Sequence, residues 1–247
     1  MITTKDDRVK KNLPKRAIKS FVRRGRHLTS TRKNAWENLW GQYGLDANEQ
    51  IDLLKVFSRE TETILEIGFG MGDSLIQMAI ANPETNFIGI EVHTPGVGAL
   101  FARMQQEQVK NLRIFSEDAI TVLEKAIPDN SIDKVLLFFP DPWPKIRHHK
   151  RRLVQLAFVK LILRKLKLEG QFHIATDSKD YALHSVKVIE QISEFSNLAG
   201  EKIFSPKPEY RILTKFEKRG MSLGHEIWDL IFVKNKNLGD CFTKAHT

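Results

Sequence analysis

The chain has 247 residues, enough for one large α/β domain with appendages, and its 41% hydrophobic residues can supply a sizeable core. No apolar run approaches the roughly 20 residues of a membrane-spanning helix, and the amino terminus lacks the apolar segment of a secretory signal. Because Cys241 is the single cysteine, an internal disulfide and a cysteine-rich metal site are excluded, and we expect a cytoplasmic protein with no membrane partner.

Positive charge is concentrated at the amino end. Residues 1–34 contain twelve Lys and Arg against Asp6 and Asp7, a net charge of +10, whereas the whole chain carries +9. Low hydrophobicity and high charge predict that residues 1–33 form a basic, flexible arm. Such an arm is typical of nucleic-acid binding, and a solubilising tail is the alternative. A folded domain is then expected at 34–235, followed by a short tail at 236–247.

The first predicted element after the arm is a helix over residues 34–43. Its aromatic side chains Trp36, Trp40 and Tyr43 are spaced along one face. Such a face can stack on bases, but we interpret it as core. A second short helix is predicted at 51–57.

Strand and helix patterns then alternate. Strands are predicted at 63–67, 86–92, 111–116, 134–139 and 171–176. Helices are predicted at 73–81, 96–109, 119–126, 149–167 and 179–195. Two further strand-like segments, 201–204 and 226–233, enclose residues 206–225. This alternation predicts a parallel, doubly wound sheet.

The first predicted strand runs into three glycines, Gly68, Gly70 and Gly72. Glycines allow a tight turn and a close approach of the backbone to a ligand. The spacing is G-x-G-x-G, which does not meet the G-x-G-x-x-G fingerprint of dinucleotide binding. Glu66 adds a carboxylate at the strand end, where an ammonium group would be a better neighbour than a pyrophosphate.

Two further acids end the next predicted strands. Glu91 can accept from both hydroxyls of a ribose, and Asp118, followed by Ala119, can accept from an exocyclic amino group. With Glu66, these acids predict a ligand with an amine, a ribose and an adenine. S-adenosylmethionine (SAM) has all three, whereas NAD lacks the amine. Taken alone, each acid is more simply a helix N-terminal or solvent-facing charge.

The most specific segment follows the fourth predicted strand and reads FPDPWPKIRHHKRR over residues 139–152. Its three prolines stop a helix or a strand ladder, so Asp141 is held on a stiff backbone beyond the carboxyl end of a strand. Trp143 adds a flat face, and a run of cations follows. This combination predicts a nucleobase in a nucleic acid as ligand, and a proline-rich loop before a solvated helix is the alternative.

Two more acids can meet donors on a base edge. Asp177 follows the fifth predicted strand, and Glu217 ends the segment 214–217. Salt bridges to nearby Lys and Arg are the alternative for both, and for Asp177 taken alone we favour that interpretation. His148 and His149 predict no metal site, because adjacent residues on a helix point apart and no third ligand lies at a useful spacing.

Together these motifs resemble the bacterial tRNA (guanine-N7-)-methyltransferase family. The matching segments are SFVRR at 20–24, LEIGFGMG at 65–72, GIEVH at 89–93, FPDPWPKIRHHKRRL at 139–153, TKFEKRG at 214–220 and GHEIWDL at 224–230. The resemblance implies a class I SAM-dependent methyltransferase, with a Rossmann-like seven-stranded sheet, helices on both faces and an antiparallel last strand. It also implies transfer of a methyl group from SAM to N7 of a tRNA variable-loop guanine, usually at position 46.

The resemblance also implies a role for each matching residue. Residues expected at the SAM pocket are Glu66, Gly68, Gly70, Gly72, Glu91, Asp118, Ala119 and Asp141, of which Asp141 is also expected to be catalytic. Those expected to hold the guanine are Lys145, Asp177, Thr214, Lys215, Phe216 and Glu217. Those expected to bind RNA are Arg147, His148, His149, Lys150, Arg151 and Arg152.

Two positions depart from the family pattern, since Ile146 and Ser178 stand where Lys and Trp are common. The sequence leaves open whether the protein is a monomer or a homodimer. Two other functions also remain as alternatives: methylation of an exocyclic amino group in a nucleic acid, and RNA binding without catalysis.

Overall fold

The computed structural model describes residues 29–200, 203–213, 217, 224 and 226–235. Residues 1–28 of the predicted arm, the predicted tail at 236–247, and Thr214, Lys215 and Phe216 lie outside the described residues.

Most of the described elements begin within two residues of the predicted positions, but the strand predicted at 171–176 begins at Leu166. The strands are β1 (Gly44–Leu45), β2 (Thr63–Ile67), β3 (Asn86–Ile90), β4 (Leu112–Phe115), β5 (Ile132–Phe138), β6 (Leu166–Thr176), β7 (Phe195–Asn197) and β8 (Trp228–Lys234). The helices are α1 (Ser30–Tyr43), α2 (Leu53–Phe57), α3 (Asp73–Ala81), α4 (Thr94–Glu107), α5 (Ala119–Lys125), α6 (Leu156–Lys165) and α7 (Lys179–Ile189), with a 3₁₀ helix at Ile146–Arg151.

All the described strands form one sheet, in the order β1-β4-β3-β2-β5-β6-β8-β7. Neighbours from β1 to β6 are parallel, and β8 runs antiparallel to both β6 and β7. The doubly wound sheet with an antiparallel last strand is therefore confirmed. The sheet has eight strands rather than the predicted seven, because the two-residue β1 pairs with the edge of β4.

Helices cover both faces of the sheet. Successive residues of β2 point to opposite faces. Leu65 and Ile67 pack in the cluster that includes α5, α6 and α7, whereas Ile64 packs with α3 and α4. Burial on both faces explains why this strand lacks polar–apolar alternation.

The start of α1 lies inside the predicted arm, at Ser30. Trp36 and Trp40 stack with ring centroids 4.9 Å apart and both meet Phe101 of α4 edge-on. This packing agrees with the core interpretation of the aromatic face. None of the helices in the described part of the chain is long and apolar enough to cross a membrane.

The predicted helix at 149–167 is wrong in its first half. The 3₁₀ helix ends at Arg151 and α6 begins at Leu156, with an extended residue at Arg152. Arg152 and Val154 are both buried, and an extended segment turns side chains two positions apart to the same side.

The strand predicted at 201–204 is also wrong for its described residues, which form a bend. The sheet edge is instead β7, which begins at the last residue of the predicted helix 179–195. Helix α7 ends at Ile189, and Phe195 of β7 packs edge-on against Phe232 of β8.

Candidate active site

A cavity of about 240 Å³ opens at the carboxyl ends of strands β2 to β5. The chain reverses its direction of travel across the sheet between β2 and β5, and ligands bind at such switch points. Five of the predicted SAM-pocket residues line this cavity. They are Gly68, Glu91, Asp118, Ala119 and Asp141.

The glycine turn after β2 needs its glycines. Gly68, Gly70 and Gly72 have φ angles of 74°, 58° and 76°, in the region that other residues enter only at a cost. The turn also lies against the start of α4, because a Cβ atom on Gly96 would come within 1.9 Å of the Gly70 carbonyl oxygen. Sequence reasoning did not single out Gly96, since one glycine near a helix start carries no pattern.

The Glu91 carboxylate is fixed by two backbone donors. Oε2 accepts from Gly70 N and Oε1 accepts from His93 N, both at 2.8 Å. Each oxygen has a second lone pair, so the group can still accept from a ligand. The predicted ribose acceptor is therefore held in place by the glycine turn itself.

Glu66 is buried, with 3% of its surface exposed. Within the described part of the chain, its Oε2 atom has no hydrogen-bond partner. Burial and the negative charge of Glu91 raise the pKa of Glu66 to about 8, so the neutral acid predominates at pH 7. The ammonium group of SAM would give Oε2 a hydrogen-bond donor, and its positive charge would favour the ionised form of Glu66.

Asp118 has two functions in the structure. It is the N-cap of α5, where Oδ1 accepts from Ile120 N at 3.0 Å and Thr121 N at 3.3 Å. The helix N-terminal interpretation is therefore correct for this acid, which also lines the cavity. Glu117 lines the cavity as well and was missed, because nothing in the sequence distinguished it from a surface charge.

The cavity is therefore compatible with SAM. The buried acid Glu66 lies beside the cavity, and Glu91 and Asp118 present carboxylates in it. The glycines let the backbone approach a ligand closely.

The loop that holds Asp141 is strained on both sides of that residue. Phe139 and Trp143 have φ angles of 50° and 44°, and each left-handed non-glycine residue costs about 1 kcal/mol or more. The Trp143 indole N–H is buried without an acceptor among the described residues. Strain of this kind clusters at functional sites. Asp141 itself is exposed at the cavity edge.

The basic residues after this loop fall into two groups. Lys145, Arg147 and Lys150 are exposed. Arg151 instead lies over the Trp143 ring at 4.9 Å, and His148 meets that ring edge-on. Desolvation and then the charges of Arg151 and Arg147 lower the pKa of His148, so its imidazole is mainly neutral at pH 7.

Arg152 does not face solvent, contrary to its predicted place among the RNA-binding residues. Its side chain is 1% exposed and forms an ion pair with Asp180. Its Nε atom donates to the Pro142 carbonyl oxygen at 3.0 Å. The sequence did not predict that Arg152 is buried, because a run of basic residues looks the same whether one of its arginines is buried or exposed.

The two acids predicted at the base edge have different surroundings. Asp177 is exposed just beyond β6, and Ser178 caps α7 by accepting from Tyr181 N at 3.3 Å. Glu217 is buried and its carboxylate pairs with Arg211. The structure thus shows the salt-bridge alternative for Glu217.

Comparison with known proteins identifies a matching family and relatives with similar sequences. Residues 60–230 match the family model described as "Putative methyltransferase". A tRNA (guanine-N(7)-)-methyltransferase of Salmonella choleraesuis (strain SC-B67) is 52% identical over 224 residues, 90% of this chain and 94% of the relative. One with the same name from Alcanivorax borkumensis is 50% identical over 220 residues, 89% of this chain and 92% of the relative.

Solved structures share the fold at low sequence identity. The 16S rRNA methyltransferase KamB superposes with a TM-score of 0.52 at 13% identity, covering 76% of this chain and 95% of its own. A mutant of the 16S rRNA (adenine(1408)-N(1))-methyltransferase from Catenulisporales acidiphilia, solved with cosubstrate SAM, gives a TM-score of 0.51 at 13% identity. That match covers 78% of this chain and 93% of the mutant. These matches concern the fold alone.

Proposed function

Because the chain belongs to the family of bacterial tRNA (guanine-N(7)-)-methyltransferases, its reaction is SAM-dependent methylation of guanine N7 in tRNA, and we propose that this reaction takes place at the cavity described above. The observation that carries the proposal is the position of Asp141, exposed on a strained loop at the rim of a cavity with four further acids in or beside it. We also propose that the target is the variable-loop guanine at position 46.

The acids have distinct roles toward the cofactor. SAM supplies an activated methyl group when it is bound. Glu66 is suited to its ammonium group, because its buried Oε2 atom, which has no hydrogen-bond partner among the described residues, would gain one. Glu91 is suited to the ribose hydroxyls and Asp118 to the adenine amino group, since both present carboxylates at the cavity.

The methyl transfer itself needs no general base. Guanine N7 carries a free lone pair, so no proton has to leave before attack. The purine gains positive charge as the methyl group arrives. A carboxylate that accepts from its N1–H and amino group stabilises that charge and orients the ring. We assign this role to Asp141, with Asp177 and residues 214–216 supporting the base.

The exposed cations next to the loop form the proposed RNA surface. Lys145, Arg147 and Lys150 follow the loop at the cavity rim, where they can meet phosphates near the target guanine. The net charge of +10 in residues 1–34 adds to this electrostatic attraction. A tRNA substrate is consistent with a cytoplasmic enzyme.

Changing Asp141 to Asn tests the assignment. The amide keeps the size of the side chain but removes the negative charge, and its NH₂ can face donors on the base. Because the charge on the purine develops only during transfer, kcat should fall on the order of 10²-fold or more. Binding of tRNA should change little, since phosphate contacts dominate it.

The control is Asp46→Asn, which removes the same charge from an exposed position after β1. Single-turnover rates at saturating SAM and tRNA are the measurement. If D141N methylates tRNA at the rate of D46N, Asp141 is not the catalytic residue.

A further inference from the structure

We propose that Arg152 is a positioning residue that fixes the Asp141 loop against the amino end of α7, and that it does not bind tRNA phosphates. The inference deepens the proposed function and rests on it, because it depends on Asp141 and Asp177 as the groups that meet the guanine. It separates Arg152 from the cations that precede it in the sequence.

The Arg152 guanidinium joins parts of the chain that follow two different strands. Nε donates at 3.0 Å to the carbonyl oxygen of Pro142, the residue after Asp141. Nη2 donates to the Asp180 carboxylate in the first turn of α7 and lies 3.0 Å from His149 Nε2. The guanidinium also lies 5.5 Å from the centre of the buried Tyr181 ring.

These contacts stabilise the buried positive charge of the Arg152 guanidinium. A guanidinium taken out of water is costly unless it is paired and hydrogen-bonded, and Arg152 has both kinds of partner. A phosphate could be reached only if the side chain left Asp180 and Pro142. The Pro142 carbonyl would then lose its donor, and the Asp180 carboxylate would lose its ion pair.

The position of Pro142 explains why such an anchor is needed. The loop is strained at Phe139 and at Trp143, and strained conformations persist only when their surroundings hold them. Proline has no N–H, so the prolines on both sides of Asp141 cannot donate backbone hydrogen bonds. The donor from Arg152 therefore holds the peptide that joins Pro142 to Trp143, one residue past Asp141.

The other end of the contact fixes the second loop of the site. Asp180 lies three residues after Asp177, within the first turn of α7. The segment after Arg152 is attached to α7 as well, since Val154 N donates to the Tyr181 hydroxyl at 3.4 Å and His184 Nε2 donates to Val154 O at 2.8 Å. The two loops proposed to hold the guanine thus have their spacing set through one buried segment.

Arg152→Lys separates positioning from phosphate binding, because it keeps the charge but loses the planar fork that serves several acceptors at once. We expect kcat to fall by roughly tenfold or more, since small misplacements at a reacting centre cost up to about 10²-fold. The salt dependence of tRNA binding should keep its slope. Arg147→Gln, at an exposed cation, should instead reduce that slope by about one.

Two further measurements keep the test decisive if R152K is poorly folded. Asp180→Asn changes an exposed partner on α7 and should also lower kcat, and the R152K/D180N pair should be non-additive because both changes remove one contact. Hydrogen exchange at Phe139 and His148, which flank the Asp141 loop and donate to Ala175 O at 2.8 Å and Lys145 O at 2.7 Å, should speed up in each variant. The reference is Lys160→Gln on the exposed side of α6.

The outcomes separate this inference from the catalytic assignment. Faster exchange around Asp141 together with an active D141N enzyme would support the anchor and reject the catalytic role of Asp141. A reduced salt slope in R152K, with unchanged exchange and unchanged kcat, would show that Arg152 is a phosphate contact and would overturn the inference.

Discussion

The buried Glu66 should make the stability of the SAM-free protein fall with rising pH. Its pKa is raised from the ordinary 4.5 to about 8 by burial and by the charge of Glu91. Below pH 4.5 the acid is protonated in both the folded and the unfolded chain, so it has no effect. Between these values the unfolded chain loses the proton first, which favours unfolding. Above pH 8 Glu66 is ionised in both the folded and the unfolded chain, and the loss of stability reaches its full size.

The size of the effect follows from the same two values. At about 1.4 kcal/mol per pH unit, the loss in the free energy of unfolding grows to roughly 5 kcal/mol above pH 8. About 3 kcal/mol of this should develop between about pH 5.5 and about pH 8.5. A small domain is stable by only about 5–15 kcal/mol, so a change of this size is readily measured.

Glu66→Gln tests the reasoning, because glutamine keeps the shape of the neutral acid and cannot ionise. Urea unfolding at both pH values gives the free energy of unfolding of each protein. Relative to wild type, E66Q should gain about 3 kcal/mol between about pH 5.5 and about pH 8.5. Glu49→Gln removes a charge from an exposed position and corrects for the change in net charge. An E66Q difference that is equal at both pH values would refute the argument.

Two other predictions concern the cofactor and the tRNA. Glu91→Ala should weaken SAM binding by roughly 1–3 kcal/mol, because a fixed acceptor for the ribose is lost, and calorimetry that shows unchanged affinity would remove Glu91 from the site. Deletion of residues 1–28 should weaken tRNA binding and flatten its salt dependence without changing SAM binding. An unchanged slope of log K against log salt would identify these residues as a solubilising tail.

The sequence contained enough information to place the sheet and the cavity. Burial on both faces gives apolar strands, and parallel strands bring their carboxyl ends to one edge. That geometry is why Glu91, Asp118 and Asp141, distant in the chain, could be predicted to lie together. The glycine turn could be predicted for a similar reason, because left-handed φ angles restrict the residue type.

Environments that depend on tertiary neighbours could not be predicted. Arg152 and Arg147 belong to the same charge run, yet Arg152 meets a carboxylate and a carbonyl in the interior whereas Arg147 is exposed. Glu217 differs from Asp177 in the same way, since Glu217 is buried against Arg211 from a neighbouring segment. The spacing of apolar residues can be read from a sequence, but the residues that a polar side chain will contact cannot.

The four acids with proposed roles at the site, Glu66, Glu91, Asp118 and Asp141, differ in what surrounds them, and these differences support their different roles. Glu66 is buried without a hydrogen-bond partner for Oε2 in the described residues, which suits a cationic group of a small ligand. Glu91 and Asp118 are fixed by backbone donors, which suits the recognition of hydroxyl and amino groups. Asp141 alone among these four is exposed, and it lies on a loop held by Arg152. A macromolecular substrate reaches an exposed acid more readily than a buried one. Of the two exposed acids that line the cavity, Glu117 and Asp141, only Asp141 lies on the strained loop, which supports its proposed role toward a base in tRNA.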